Sequence, residues 1–172
     1  MKYVFDIETD GFLNQCTKVH CIVLKDIDTN EILKLRNLEA ITKLEQADLI
    51  IGHNIIKFDI PVLEKFYNFK PKGKVFDTIV ATRLLYPDVK ERDFKRKGFP
   101  TNCIGRHSLK AWGYRVGEYK EAFDTDWKEY SPEMLDYCIQ DVEVTDTLYK
   151  TIERRGYSCQ AMELEHEVAT LI

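Results

Sequence analysis

The chain has 172 residues, 44% of them hydrophobic, enough for one compact domain with a core of its own. Its 25 basic and 29 acidic side chains leave a formal charge of −4, which argues against a protein that coats long duplexes by charge alone. An enzyme that grips a short end is not excluded, and part of the acidity suits a divalent cation, since Mg²⁺ and Mn²⁺ prefer carboxylate oxygens.

Residues 2–8 (KYVFDIE) are rich in β-branched and aromatic side chains and predict a buried strand, closed by the turn signal Asp10-Gly11. VHCIVLKDI (19–27) and EILKLR (31–36) predict two more strands, joined by a hairpin turn at Asp28-Thr29-Asn30. From Leu38 to Ala47 the apolar residues at 38, 41 and 44 have helical spacing. DLIIGHN (48–54) is a short apolar run that stops at a glycine, as a buried strand does. Residues 59–67 predict a short helix with Pro61 in its first turn, and Asp77 caps a second, TIVATRLLY, which Pro87 ends. Residues 88–106 predict a polar, irregular loop. Its cluster KERDFKRK (90–97) carries more lysine and arginine than acid, a run that is most often a solvated surface. SLKAW (108–112) predicts a short helix capped by Ser108. Ser131-Pro132-Glu133 starts a long helix that runs to about residue 154 and stops at Gly156. A last amphipathic helix covers about 160–172. Early strands with helices interleaved and following indicate an α/β layer fold, one domain around a mixed sheet.

The five cysteines (Cys16, Cys21, Cys103, Cys138, Cys159) form no CxxC pair, so neither a zinc ribbon nor a thioredoxin-like site is expected. Their scatter suits a reducing compartment. The chain opens directly into a strand-like segment, and no apolar run is long enough to span a bilayer. A cytoplasmic monomer with no membrane contact is the expectation. No GxxxxGK[ST] loop is present, which removes a nucleotide-binding switch.

Asp6 and Glu8 alternate along an otherwise apolar strand, so both side chains leave the same face. Two carboxylates against a buried sheet are costly unless something neutralises them, and a divalent cation does so. A lone DxE pair is nonetheless common at strand ends. Asp59 follows the fourth predicted strand, in HNIIKFDIP. Ahead of it come an amide (Asn54), a cation (Lys57) and a ring (Phe58), which are the groups that meet a nucleotide's edges, phosphate and base face. A helix-capping Asp59 with Phe58 in the core accounts for this stretch equally well. Tyr137 and Asp141 lie four residues apart on the long helix and share a face, with Asp136, Glu143 and Asp146 as nearby competitors. Together the four carboxylates can hold two divalent ions about 3.5–4 Å apart, an arrangement that clamps both oxygens of an in-line phosphoryl displacement.

FDIETDG, HNIIKFDIP and YCIQDVEVT resemble, in order, the three motifs of the DEDD exonuclease superfamily, with tyrosine before the last aspartate as in its DEDDy branch. GRHSLKAWGYRVGEYKE (105–121) resembles the proofreading exonuclease domain of phage family A DNA polymerases, and the likeness covers nearly the whole chain. The resemblance implies an RNase H-like fold, two Mg²⁺ or Mn²⁺ ions, and 3′–5′ removal of nucleotides from a single-stranded DNA 3′ end. Under it Asp6, Glu8, Asp59 and Asp141 bind metal, Tyr137 orients the attacking water, and Thr9, Asn54 and Phe58 contact the terminal nucleotides; Lys57 joins them as a phosphate partner on its residue type alone. It divides the chain into an exonuclease domain, 1–156, and a C-terminal helix, 157–172, like the one that leads into a polymerase domain. An excised domain and a separate exonuclease subunit working with a polymerase both fit.

The nearest competing function is an exoribonuclease of the RNase D or oligoribonuclease type, because metals attack phosphate whichever sugar is attached, and only a pocket that tests the 2′-OH discriminates. An inactive exonuclease fold kept as a binding module predicts missing carboxylates, and all four are present.

Overall fold

Five strands form one mixed sheet: Lys2–Thr9 (β1), Val19–Asp26 (β2), Ile32–Leu35 (β3), Leu49–Gly52 (β4) and Lys74–Asp77 (β5), in the order β3-β2-β1-β4-β5. The structure is a computed structural model and describes residues 1–118, 123 and 126–172. β1, β2 and β3 pair antiparallel, while β1–β4 and β4–β5 are parallel. The turn after β2 is fastened by the Asp26 carboxylate, which accepts from the backbone N–H groups of Asp28 and Thr29.

Alternation along β1 divides the core. Tyr3, Phe5 and Ile7 join the cluster containing Ile41 and Leu44 of Asn37–Gln46 (α1) and Val62 and Leu63 of Asp59–Tyr67 (α2). Val4 faces the opposite layer, made by Thr78–Leu85 (α3), Leu109–Val116 (α5), Pro132–Arg155 (α6) and Cys159–Leu171 (α7). A three-layer α/β/α domain results, with α6 lying across β1 and β2.

α6 follows from its local signals. The Ser131 side chain accepts from the Met134 N–H, Pro132 takes the first helical position, and Gly156 ends the helix at φ +73°. Asp77 caps α3 as its position suggests, accepting from the Ile79 N–H at 3.1 Å.

Three features depart from the sequence expectation. β5 was not foreseen, because four residues of ordinary composition reveal no period and the strand exists only through its pairing with β4. The 88–106 segment is not irregular throughout: it contains Val89–Phe94 (α4) and a 3-10 turn, Thr101–Cys103. Its organiser is the buried Asp93, which receives Arg115 in two bonds of 3.0 and 2.7 Å and the Gly105 N–H at 2.9 Å. Arg92 pairs with Asp88 and Arg96 reaches the Arg115 carbonyl, so part of this charged run ties the segment to itself and to the helix that carries Arg115. Leu38, one of the three apolar positions that mark α1, is 74% exposed, and Ala40 is buried instead. The described residues include no helix long and apolar enough to cross a membrane. The 119–121 end of the stretch that carries the polymerase-exonuclease likeness lies outside the described residues.

Candidate active site

Asp6 and Glu8 extend the Val4 face of β1, under α6. A register shift between Glu8 and Thr9 ends the regular ladder: Glu8 opposes Cys21 and Thr9 opposes Val19, leaving His20 as the extra residue. Such bulges bend a strand and re-aim side chains at the edge of a site. α6 brings Tyr137 and Asp141 over the same spot. Asp59 arrives from the start of α2, where it is a first-turn residue and not the cap.

All five residues line one cleft of about 250 Å³, together with Asn54 and Phe58. The cleft also contains His53, the first residue of HNIIKFDIP but given no role there, and Trp127, which lies outside the motifs. Among the described residues no lysine or arginine lines it. Thr9 and Lys57 stand outside this lining: the Thr9 hydroxyl donates to the Gly11 carbonyl at 2.7 Å, and Lys57 is exposed.

The competing acids of α6 have other partners. Lys25 of β2 crosses to Glu143 at 2.6 Å and Asp146 at 2.7 Å, and Lys150 adds a second cation on Asp146. Asp136 is exposed. Tyr137 and Asp141 are thereby separated from their neighbours by geometry. The Tyr137 ring is held by stacking on Phe123 (centroids 5.1 Å apart, planes at 30°) and by an edge contact with Trp127 at 6.1 Å.

The turn that delivers Asn54, Phe58 and Asp59 is built around Asp77. This fully buried carboxylate accepts from the N–H groups of Asn54 at 2.8 Å and Ile56 at 3.0 Å, besides capping α3. Asn54 itself adopts the left-handed conformation at φ +65°. Gly52 lets the turn start tightly, since a Cβ there would lie 2.2 Å from the Ile55 side chain. His53 is fixed by Thr78 Oγ1 at 2.8 Å and by the His107 carbonyl at 2.9 Å. From the far end of the chain, His166 of α7 accepts the Asp77 N–H at 2.8 Å and donates through Nδ1 to the Met162 carbonyl. Sequence reading found Asp77 only as a helix cap, because its loop partners lie more than twenty residues away.

Burial raises the Asp59 carboxyl to about 8, with the nearby Asp77 charge adding to it, the backbone N–H groups of Asp59 and Ile7 opposing it, and Asp141 reinforcing it. One Asp59 oxygen, Oδ1, is buried with no hydrogen-bond partner. A buried carboxylate atom without a donor, beside three other acids, is a group that a cation completes. Asp6, Glu8 and Cys138 offer atoms within 4.8 Å of one another. Cys138 is fully buried and its thiol is raised well above the ordinary range by burial, so it serves as an S–H donor to Asp6 Oδ2, 3.3 Å away. Among the described residues Asp6, Glu8 and Cys138 are the one cluster so close; the Asp59 and Asp141 carboxylates line the same cleft, and carboxylate oxygen is the donor that Mg²⁺ and Mn²⁺ prefer to a thiol.

An α/β fold that gathers acids from three chain segments under one helix is the architecture of a class of nucleases. The chain belongs to the 3′–5′ exonuclease family, whose model matches residues 10–156. Within it the chain is a domain of the phage polymerase type. The DNA-directed DNA polymerase of Escherichia phage T7 is 30% identical over 222 aligned positions, which take in 98% of this chain and 32% of the polymerase. The chain therefore spans about a third of the length of that relative. Among solved structures, NrnC of Brucella melitensis with bound Mg²⁺ has a TM-score of 0.68 at 20% identity, covering 98% of this chain and 82% of that one. RNase D of Escherichia coli, an exoribonuclease, has a TM-score of 0.57 at 14% identity, covering 98% and 45%. At these identities the likeness is one of fold, the RNase H-like exonuclease fold.

Proposed function

We propose that this chain releases nucleoside monophosphates one at a time from single-stranded or frayed DNA 3′ ends, as the proofreading exonuclease of a phage DNA polymerase. The observation that carries the reading is the meeting of Asp6, Glu8, Asp59, Tyr137 and Asp141 in one cleft. Two divalent cations, Mg²⁺ or Mn²⁺, held by the four carboxylates would offset phosphate charge and make water easier to deprotonate. Cys138 holds Asp6 in place, and the Asp77 clamp holds Asp59. Tyr137, locked between Phe123 and Trp127, orients the attacking water. Phe58 stacks on the terminal base and Asn54 meets its edge or sugar. Lys57, exposed one residue ahead of Phe58, meets a phosphate, and the Thr9 hydroxyl holds the turn after β1. The DNA preference rests on the phage polymerase relationship.

A polymerase domain, in the same chain or a separate one, is the partner in this reading. α7 leaves Leu164, Val168, Leu171 and Ile172 exposed as an apolar stripe suited to such packing. The deciding experiment is incubation with 5′-labelled single-stranded DNA and RNA of one sequence in Mg²⁺, Mn²⁺ or EDTA. A ladder of single-nucleotide steps on DNA, abolished by EDTA, is expected. Faster digestion of RNA would replace the proofreading role with exoribonuclease action, and no digestion of either would refute the enzyme.

A further inference from the structure

Two cations stand in line with the acids across the sheet. Asp6 pairs with Val23, and Val23 with Lys34. Glu8 pairs with Cys21, and Arg36, one residue beyond the Leu35–Ile22 pair, falls beside Cys21. Directly opposed residues share a sheet face. Lys34 and Arg36 therefore lie on the same side as the two acids, two strand spacings away, roughly 10 Å. Between them and the approach to α6 runs a groove of about 670 Å³, lined among others by His20, Leu38, Tyr130 and Leu135. One contact links its lining to that of the acidic cleft: the His20 ring nitrogen bonds the carbonyl of Trp127, itself part of the cleft wall.

The lining identifies the occupant. In a chain of net charge −4 this groove has Lys34 and Arg36 and, among the described residues, no acid. Lys25, Arg92 and Arg115 are engaged with carboxylates, whereas Lys34 and Arg36 are exposed and among the described residues stand in no ion pair. Tyr130 and Leu38, 49% and 74% exposed, offer flat and apolar surface beside these cations. Repeated negative charge alternating with planar apolar faces is the chemistry of a single-stranded nucleic acid. We infer that this groove holds the strand upstream of the 3′ end, with Lys34 and Arg36 each meeting a phosphate and Tyr130 stacking on a base. The inference rests on the exonuclease reading and adds a length preference to it. A dinucleotide fills the cleft without reaching the groove, while an octanucleotide occupies both.

The test compares the parent chain with Lys34→Ala/Arg36→Ala, with Tyr130→Ala, and with Lys95→Ala/Lys97→Ala as an equal loss of charge elsewhere. Binding of 5′-fluorescein-labelled dT8 and rU8 is measured by anisotropy in EDTA over a salt series, and turnover on octamers and dinucleotides in Mg²⁺. The groove pair should lower the slope of log affinity against log salt by about 1.4, from two contacts at about 0.7 each. Their octamer KM should rise roughly tenfold with kcat unchanged, and dinucleotide kinetics should not move. Tyr130→Ala should weaken octamer binding without changing the salt slope. Equal losses on dinucleotide and octamer, an unchanged slope, or the same effect from the Lys95/Lys97 pair would overturn the groove. Octamer binding with the expected slope by a chain that cuts nothing would leave the groove standing and remove the exonuclease reading instead.

Discussion

Asp59 makes the acidic cleft sensitive to pH before any cation is added. Between the ordinary carboxyl value of 3.8 and about 8, the folded chain keeps a proton on Asp59 that the unfolded chain has released. Folding therefore takes up a proton in this window, and stability falls as pH rises through it. Asp77, raised by its burial, acts in the same direction. Asp10, Asp48, Asp88 and Asp93 are held below the usual carboxyl range and affect only more acidic conditions. His107, held below its ordinary 6.5 by burial, acts the opposite way below that pH. In EDTA the thermal midpoint should therefore fall from pH 6.5 to about pH 8, Asp59→Asn should flatten the fall, and Mg²⁺ at pH 8 should restore it. A midpoint that rises over this range would contradict the assignment. Asp6→Ala/Glu8→Ala should lose almost all turnover while remaining folded and, in EDTA, as stable or more so, since two repelling charges are gone. A well-folded double variant with substantial turnover would end the two-metal reading. Tyr137→Phe should lower kcat roughly 10- to 100-fold through a misplaced water, less than Asp141→Ala. Equal losses would assign the phenol a larger part.

Two side chains that fasten elements to one another separate architecture from chemistry. Asp77→Ala leaves the N–H groups of Asn54, Ile56 and Ile79 without their acceptor. The expected cost is about 3 kcal/mol in urea unfolding, together with a lower kcat because Asn54 and Asp59 share the freed turn. Lys25→Met should cost about 2–3 kcal/mol, because Asp146 stays buried with Lys150 alone beside it. Its kcat should be unchanged, and a large fall would bring Glu143 or Asp146 back into the chemistry. The contrast also shows what could be read in advance. The alternation of Asp6 and Glu8, the Ser131-Pro132 start and Gly156 end of α6, and the four-residue step from Tyr137 to Asp141 are local patterns, and the structure keeps all of them. β5, the second task of Asp77, the buried Asp93–Arg115 pair and the place of Trp127 in the cleft depend on partners far along the chain. No local period carries such information. Phe58 is half-buried against the core and also lines the cleft, so core packing does not withdraw its ring from the cleft.

At the scale of the whole molecule, the cleft sits at one end of the sheet with its acids deep and its aromatic groups at the mouth. In the proposed function only an unpaired strand enters the cleft, so a duplex must first open its terminal pairs, at about 1.4 kcal/mol of stacking per step. Single strands should be digested fastest, mismatched primer ends next and matched ends slowest, with little dependence on which base is wrong. Warming should narrow the gap between matched and mismatched ends. Blunt paired ends cut as fast as single strands would contradict selection by fraying, and a strong preference for one terminal base would show a base-reading pocket instead.

The hydrogen bond from Asp77 to His166 has a consequence for the order of events during synthesis. Every acid of the cleft has left the ribosome once Asp141 has, yet the residue that fastens the Asp59 turn from behind emerges ~25 positions later, a delay of roughly 1–5 s at usual elongation rates. A nascent chain should thus possess its reactive groups before it holds them still. Released chains truncated just before α7 should bind Mn²⁺ weakly and turn over slowly, and those extending past His166 should recover both. Full activity in the shorter chains would show that the turn closes without its late fastening.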